Sequence, residues 1–146
     1  MIEINSKTCG SVVYRTLDSG DIEFLLVKGL NHEWGFSKGN QEGSESDHET
    51  AKREVKEETG LDVDFIDGFE ERYFYDLNLG RFIFKRKIKK EVIIFLSKVN
   101  KDVRVKTQNS EILDFDWFSY DEGLDVINYK ERKRILKEAH GFIASN

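Results

Sequence analysis

The chain has 146 residues, 38% hydrophobic, 12% aromatic and 35% charged, with no proline and a single cysteine, Cys9. It is too apolar for a disordered chain and sized for one compact domain over residues 1–146, and its longest apolar run, Val92 to Leu96, falls far short of the roughly 20 residues a membrane helix requires. A net charge of −5 speaks against a nucleic-acid coat protein, and the lone cysteine with no apolar leader after Met1 makes the reducing cytoplasm the expected compartment, with no membrane partner.

The segments Thr8 to Leu17 and Ile22 to Val27 flank Asp18-Ser19-Gly20 and predict a strand, a turn and a strand. Gly35 to Asp47 is glycine-rich and polar and reads as a loop. Asp47 to Thr59 predicts a helix that Gly60 stops. Strand signals return at Val63 to Ile66, Tyr73 to Leu77, Arg81 to Phe84 and Val92 to Val99, and the last of these, apolar without alternation, reads as buried on both faces. A polar loop, Asn100 to Ser110, leads to a short strand holding Phe115, Trp117 and Phe118. Tyr129, Ile135, Leu136, Ala139 and Ile143 recur at helical spacing at the end. This order predicts a mixed sheet covered by helices.

Chemistry concentrates on the Asp47 to Thr59 helix. Glu54, Glu57 and Glu58 fall within about a 100° arc, because positions i, i+3 and i+4 share a face. Ala51 and Val55 occupy the neighbouring stripe, so the acidic face borders the buried one. Like charges so placed call for a cation, and a hard divalent ion such as Mg2+, with Mn2+ as an alternative, suits carboxylate oxygens and substrate phosphates.

The wider pattern is Gly39, then Glu45, then Arg53-Glu54-Val55-Lys56-Glu57-Glu58-Thr59-Gly60-Leu61. It resembles, without a departure, the signature of the Nudix hydrolases, a match expected by chance with probability on the order of 10^-8 per starting position. Physically, Gly39 lets the loop turn tightly so that the Lys38 carbonyl can face a metal, and Arg53 is suited to hold Glu45 against the helix. Gly60 lets the helix end. The resemblance implies an α/β/α sandwich, an α/β (α+β) fold with a mixed central sheet between helices. It also implies metal-assisted attack of water on phosphorus, with Glu54, Glu57 and Glu58 as metal ligands and Arg53, Glu54 and Glu57 in the catalytic group.

Within that family, Trp34-Gly35-Phe36-Ser37-Lys38-Gly39 is similar to the Trp-x-x-Pro-Lys-Gly segment of the asymmetrical diadenosine tetraphosphate hydrolases, with Ser37 in place of proline. Lys90-Glu91-Val92-Ile93-Ile94-Phe95-Leu96 is similar to their Lys-x-Val-x-x-aromatic-Leu strand. Glu111, upstream of Trp117, matches a Glu that adds a carboxylate to the metal site and is the candidate for that role here. Tyr129 to Ile143 is similar to their closing helix. The implied activity is Mg2+-dependent cleavage of diadenosine tetraphosphate to ATP and AMP. The alternatives are RNA 5′-end pyrophosphohydrolysis, diphosphoinositol polyphosphate or nucleoside triphosphate hydrolysis and, in a different class, a non-catalytic nucleotide sensor.

Such a substrate needs inward cations and flat platforms for its bases. Lys85 to Lys90 is the basic run. Lys85 to Lys89 read as an exposed hairpin tip, and Lys90 is the member expected to reach phosphate. Tyr73, Tyr75, Phe142 and Trp34 are the candidate platforms. The expected partner is a small nucleotide, with nucleic acid entering only as a 5′-end substrate. A monomer and a homodimer are both compatible with the chain.

Overall fold

A computed structural model describes residues 2–79 and 86–146. Along them lie β1 (Ile2–Thr16), β2 (Ile22–Gly29), β3 (Trp34–Gly35), β4 (Ser37–Asn40), α1 (Asp47–Thr59), β5 (Glu71–Leu79), β6 (Arg86–Lys98), β7 (Ile112–Phe118), α2 (Tyr120–Val126) and α3 (Lys130–Ser145). β1 organises the sheet. One edge runs parallel to β6, from Ile2 opposite Arg86 to Tyr14 opposite Lys98. The other edge is shared by β4, opposite Thr8 to Ser11, and β2, opposite Val13 to Thr16, both antiparallel. β5 closes the β6 side, while β3 and β7 extend from β2. The sheet is therefore mixed, as predicted.

The Val92 to Leu96 run explains the layers. Val92, Ile94 and Leu96 join Val12, Phe24 and Leu26 against Ile135, Leu136 and Ala139 of α3. Ile93 and Phe95 point the other way, onto Cys9 and Ala51 of α1. Helices cover both faces, so successive residues are all apolar. Each such side chain contributes about 1.5–3 kcal/mol by leaving water.

α1 has the predicted limits. Ser46 caps it, accepting from the Glu49 N–H at 3.1 Å while the Glu49 carboxylate accepts from the Ser46 N–H at 2.9 Å. Gly60 ends it at φ 75°, where a Cβ would lie 2.7 Å from the Lys106 carbonyl oxygen.

Four features differ from the sequence expectation. The Gly35 to Asp47 stretch contains β4 and the second residue of β3. β4 can approach β1 because Gly10 has no side chain there; a Cβ would meet the Ser37 carbonyl oxygen at 2.1 Å. Val63 to Ile66 is not a strand. Val63 is buried against Val55 and Leu61, and the Ile66 N–H to Leu96 carbonyl bond at 2.9 Å is not extended into a ladder, so the apolar pattern there reports burial without pairing. Arg86 to Lys90 belong to β6, paired on both sides by β1 and β5, and do not form a hairpin tip. Lys85 and the predicted strand Arg81 to Phe84 lie outside the described residues. Finally, α2 had no apolar repeat to announce it, although Ser119 and Glu122 form a second reciprocal cap. No described helix is long and apolar enough to cross a membrane.

Candidate active site

α1 lies against β1 and β4, and this packing decides where its carboxylates go. Val55 and Ala51 are fully buried beneath it. Glu54 and Glu58, one and three residues from Val55, are drawn to the edge of the same interface and are only 8% and 6% exposed. Glu57, a turn beyond Arg53, keeps a side chain 50% exposed. Burial pushes the Glu58 carboxyl up to about 7 and the Glu54 carboxyl above its ordinary value, because the loss of water outweighs the opposing effects of Ser37 and Lys38 on Glu58 and of Arg53 on Glu54.

Gly39 acts through space. It sits in the extended β4 and not at a positive φ, which corrects the tight-turn reading. A Cβ on it would lie 2.1 Å from the Glu54 carboxyl carbon, so only glycine lets this carboxylate fold against the strand.

Arg53 ties loop to helix, as the sequence suggested. Its Nε donates to Glu45 Oε2 at 2.7 Å, and Nη2 donates to Glu45 Oε1 and to the Asn40 carbonyl, both at 3.0 Å. The hydrogen bonds from Arg53, with the Glu42 N–H next, hold the Glu45 carboxyl down at about 2. Nη1 reaches Glu54 Oε1 at 2.9 Å and Glu57 Oε1 at 3.3 Å. Glu58 Oε1 accepts from Ser37 Oγ at 3.0 Å and from the Lys38 N–H at 3.3 Å.

Glu54, Glu57 and Glu58 open onto a cavity of about 720 Å3 that Glu111, Lys90 and Tyr75 also line. The Glu111 carboxylate accepts no hydrogen bond from the described residues; only its N–H is engaged, donating to Asn109 Oδ1. Lys90 donates to Asn40 Oδ1 at 2.8 Å, and burial lowers the pKa of its ammonium. A second cavity of about 560 Å3 shares Lys38 and Tyr75 with the first and adds Tyr73 and Tyr129. The Tyr73 and Tyr75 rings lie side by side, 6.3 Å apart and inclined 26°.

Two predicted platforms are elsewhere. Trp34 packs edge-on against Phe118 at 5.0 Å, and Phe142 packs against Phe69 at 5.6 Å and covers Gly68. Both are used by the core and line neither cavity. Tyr129 was read from its spacing as a helix-face residue, and it stands exposed at the N-cap of α3. Nothing in its neighbourhood in sequence distinguished it. Arg132 gave no signal either.

Among the described residues, no three acidic, histidine or cysteine side chains converge into a ready metal cage. The reason is visible: Arg53 draws Glu54 and Glu57 toward itself, and Glu58 turns one oxygen to Ser37. The donor set still suits a hard divalent cation. It consists of carboxylate oxygens, two of them on buried side chains whose charge is under-compensated, facing a polar cavity. Glu54 and Glu58 each keep an oxygen without a hydrogen bond from the described residues, and neither oxygen is sealed from solvent.

A model of the NUDIX domain matches residues 9–139. This chain belongs to the Nudix family. The Nudix chain is 35% identical over 150 residues to the asymmetrical bis(5′-nucleosyl)-tetraphosphatase of Sus scrofa, covering 95% of this chain and 96% of that protein, and 33% identical over the same length to the Mus musculus protein of that name. Its fold superposes on a binary complex of the Caenorhabditis elegans Ap4A hydrolase with a TM-score of 0.84 at 27% identity, covering 97% of this chain and 99% of that one. The α/β/α arrangement predicted from the signature is the observed one, and the chain is a hydrolytic enzyme of this family.

Proposed function

We propose that this Nudix enzyme hydrolyses dinucleoside tetraphosphates asymmetrically, diadenosine tetraphosphate yielding ATP and AMP, with Mg2+ as its metal. The observation that carries the reading is a pair of neighbouring cavities that share Lys38 and Tyr75 in their walls: carboxylates and Lys90 line one, and Tyr73, Tyr75 and Tyr129 line the other. A long anionic chain with a flat base at its end fits such a pair, since stacking on a tyrosine contributes about 1–3 kcal/mol per base. The similarity to the asymmetrical tetraphosphatases along nearly the whole chain supports the same substrate.

Glu54, Glu57 and Glu58 would hold the metal, with Glu111 and the Lys38 carbonyl as further oxygen donors on the same cavity. Bound there, the metal supplies charge neutralisation on the phosphate oxygens and activation of water. The chain's own residues do the rest. Arg53 fixes the spacing between the Glu45 loop and α1 so that the carboxylates stay in register. Lys90 balances charge on the polyphosphate. The water oxygen bonds to phosphorus as the bridging P–O bond breaks, its electron pair leaving with the nucleotide product. The proton passes to a carboxylate at the cavity.

A hydrolysis panel with Mg2+ tests the proposal. Diadenosine tetraphosphate should give the highest kcat/KM, with ATP and AMP as products. Faster turnover of a nucleoside triphosphate, a diphosphoinositol polyphosphate or triphosphate-ended RNA would replace the substrate assignment, and binding without turnover would make the chain a sensor.

A further inference from the structure

Arg132 occupies the first turn of α3 and lines two cavities, both of which also contain Lys38. One, of about 350 Å3, reaches Glu58 and Glu111. The other holds Tyr73, Tyr75 and Tyr129. Arg132 therefore stands on the wall between the carboxylates and the aromatic pocket. Its position is tightly set: Nη1 donates to the Trp34 carbonyl oxygen at 3.3 Å, and the guanidinium carbon lies 4.6 Å from the Tyr129 ring centre. The chain beneath it is glycine, and a Cβ at Gly35 would come within 3.1 Å of Nη1.

What Arg132 lacks is a counter-ion. Arg15, Arg53, Arg72 and Arg134 each pair with a carboxylate, at 2.6, 2.7, 3.0 and 3.2 Å, whereas Arg104, without such a pair among the described residues, is exposed to water. No described carboxylate lies within ion-pair distance of Arg132, although it is partly buried. The acids beside it are engaged: Glu33 accepts from the Tyr129 hydroxyl at 2.8 Å and from Asn31 at 2.8 Å, and Glu131 pairs with Arg134. A half-buried guanidinium that shares its cavities with a lysine and makes no ion pair with a described carboxylate can take up a further anion. Its planar fork matches two oxygens of one phosphate, and the link to the Trp34 carbonyl uses only one of its nitrogens.

We propose that Arg132 binds a phosphate group of the substrate, on the arm that leads from the hydrolysed bond to the aromatic pocket, and so determines which polyphosphate lengths the enzyme accepts. This rests on the dinucleoside polyphosphate reading above. Hydrolysis begins at the carboxylates and the base stacks beyond Arg132, so the cation meets a phosphate only when the connecting chain is long enough.

The test uses the full chain with Mg2+ and the diadenosine tri-, tetra-, penta- and hexaphosphates, comparing wild type with Arg132→Met and Arg132→Lys. A lost charge-assisted contact predicts KM for the tetraphosphate raised roughly ten- to a hundredfold in Arg132→Met, with kcat within about threefold of wild type. The preference among chain lengths should flatten, the melting temperature should hold, and Arg132→Lys should recover part of the affinity. Equal KM values for Arg132→Met and wild type at every length would overturn the inference, as would a fall in melting temperature and kcat with KM intact, which is what a residue that only fastens Trp34 to α3 would give. Failure of the substrate reading is separate, because the wild-type enzyme would then not turn over the series at all.

Discussion

Glu58 should make the metal-free protein less stable than it could be. Its carboxyl has a folded-state pKa near 7 against an ordinary value of 4.5, chiefly through burial. The folded chain thus binds a proton here that the unfolded chain has already released, and stability declines as pH rises from about 4.5 through 7, then levels off. A displacement of that size is worth about 3 kcal/mol at alkaline pH, a large share of the 5–15 kcal/mol that holds a typical domain together. In Glu58→Gln the amide oxygen can still accept from Ser37 Oγ and the Lys38 N–H, while the charge is gone. Urea unfolding in the presence of a chelator should show the variant and wild type nearly equal at pH 4.5, and the variant more stable by up to about 3 kcal/mol at pH 8. Saturating Mg2+ should reverse the order at pH 8, since a ligand at a hundred times its Kd adds about 2.7 kcal/mol to the form that binds it. A wild-type stability flat between pH 4.5 and 8, or a stability difference between the two proteins independent of pH, would refute the argument that this carboxylate is held charged at the fold's expense.

Three further outcomes follow from the same geometry. Glu57→Gln removes the most exposed of the three helix carboxylates and should lower kcat by on the order of a hundredfold, about 3 kcal/mol, with the urea midpoint little changed; full turnover would remove Glu57 from the site. Gly39→Ala forces the Glu54 carboxylate off β4 and should raise the Mg2+ Kd at least about tenfold by calorimetry, a coupling absent if Gly39 served only the backbone. Gly60→Ala places a Cβ in the left-handed region and against the Lys106 carbonyl, so it should cost at least about 1–2 kcal/mol in unfolding free energy without changing metal affinity.

What the sequence made legible, and what it hid, divides along one physical line. Features set by short-range spacing were readable: α1 and its Gly60 stop, the three glutamates on one arc, and Arg53 with Glu45, since a helix carries its side chains at angles fixed by residue number. The Val92 to Leu96 strand was readable because burial on both faces leaves an unbroken apolar run. Features that depend on which strands meet were not. β4 exists because Gly10 lets another chain segment approach, and nothing near Ser37 to Asn40 states that. Trp34 and Phe142 looked like base platforms because an aromatic side chain has the same composition whether it faces a ligand or a core, and only tertiary packing separates Phe142 on Phe69 from Tyr75 at the cavity.

Arg132 is the extreme case. Its meaning lies in the absence of a carboxylate nearby in space, while Glu131, its neighbour in sequence, is turned to Arg134. A positive side chain one residue from a negative one reads as a solvated pair on a helix surface, and the helix geometry makes it something else, because i and i+1 do not face each other whereas i and i+3 do. The charge balance of a site is therefore a property of directions. Summed along the chain, this protein is acidic; resolved in space, Lys38 and Lys90 line the same cavity as Glu54, Glu57, Glu58 and Glu111, and Arg132 lines two cavities that adjoin it through Lys38. That juxtaposition lets one pocket favour a divalent cation at its carboxylates and a polyanion at its lysines at once.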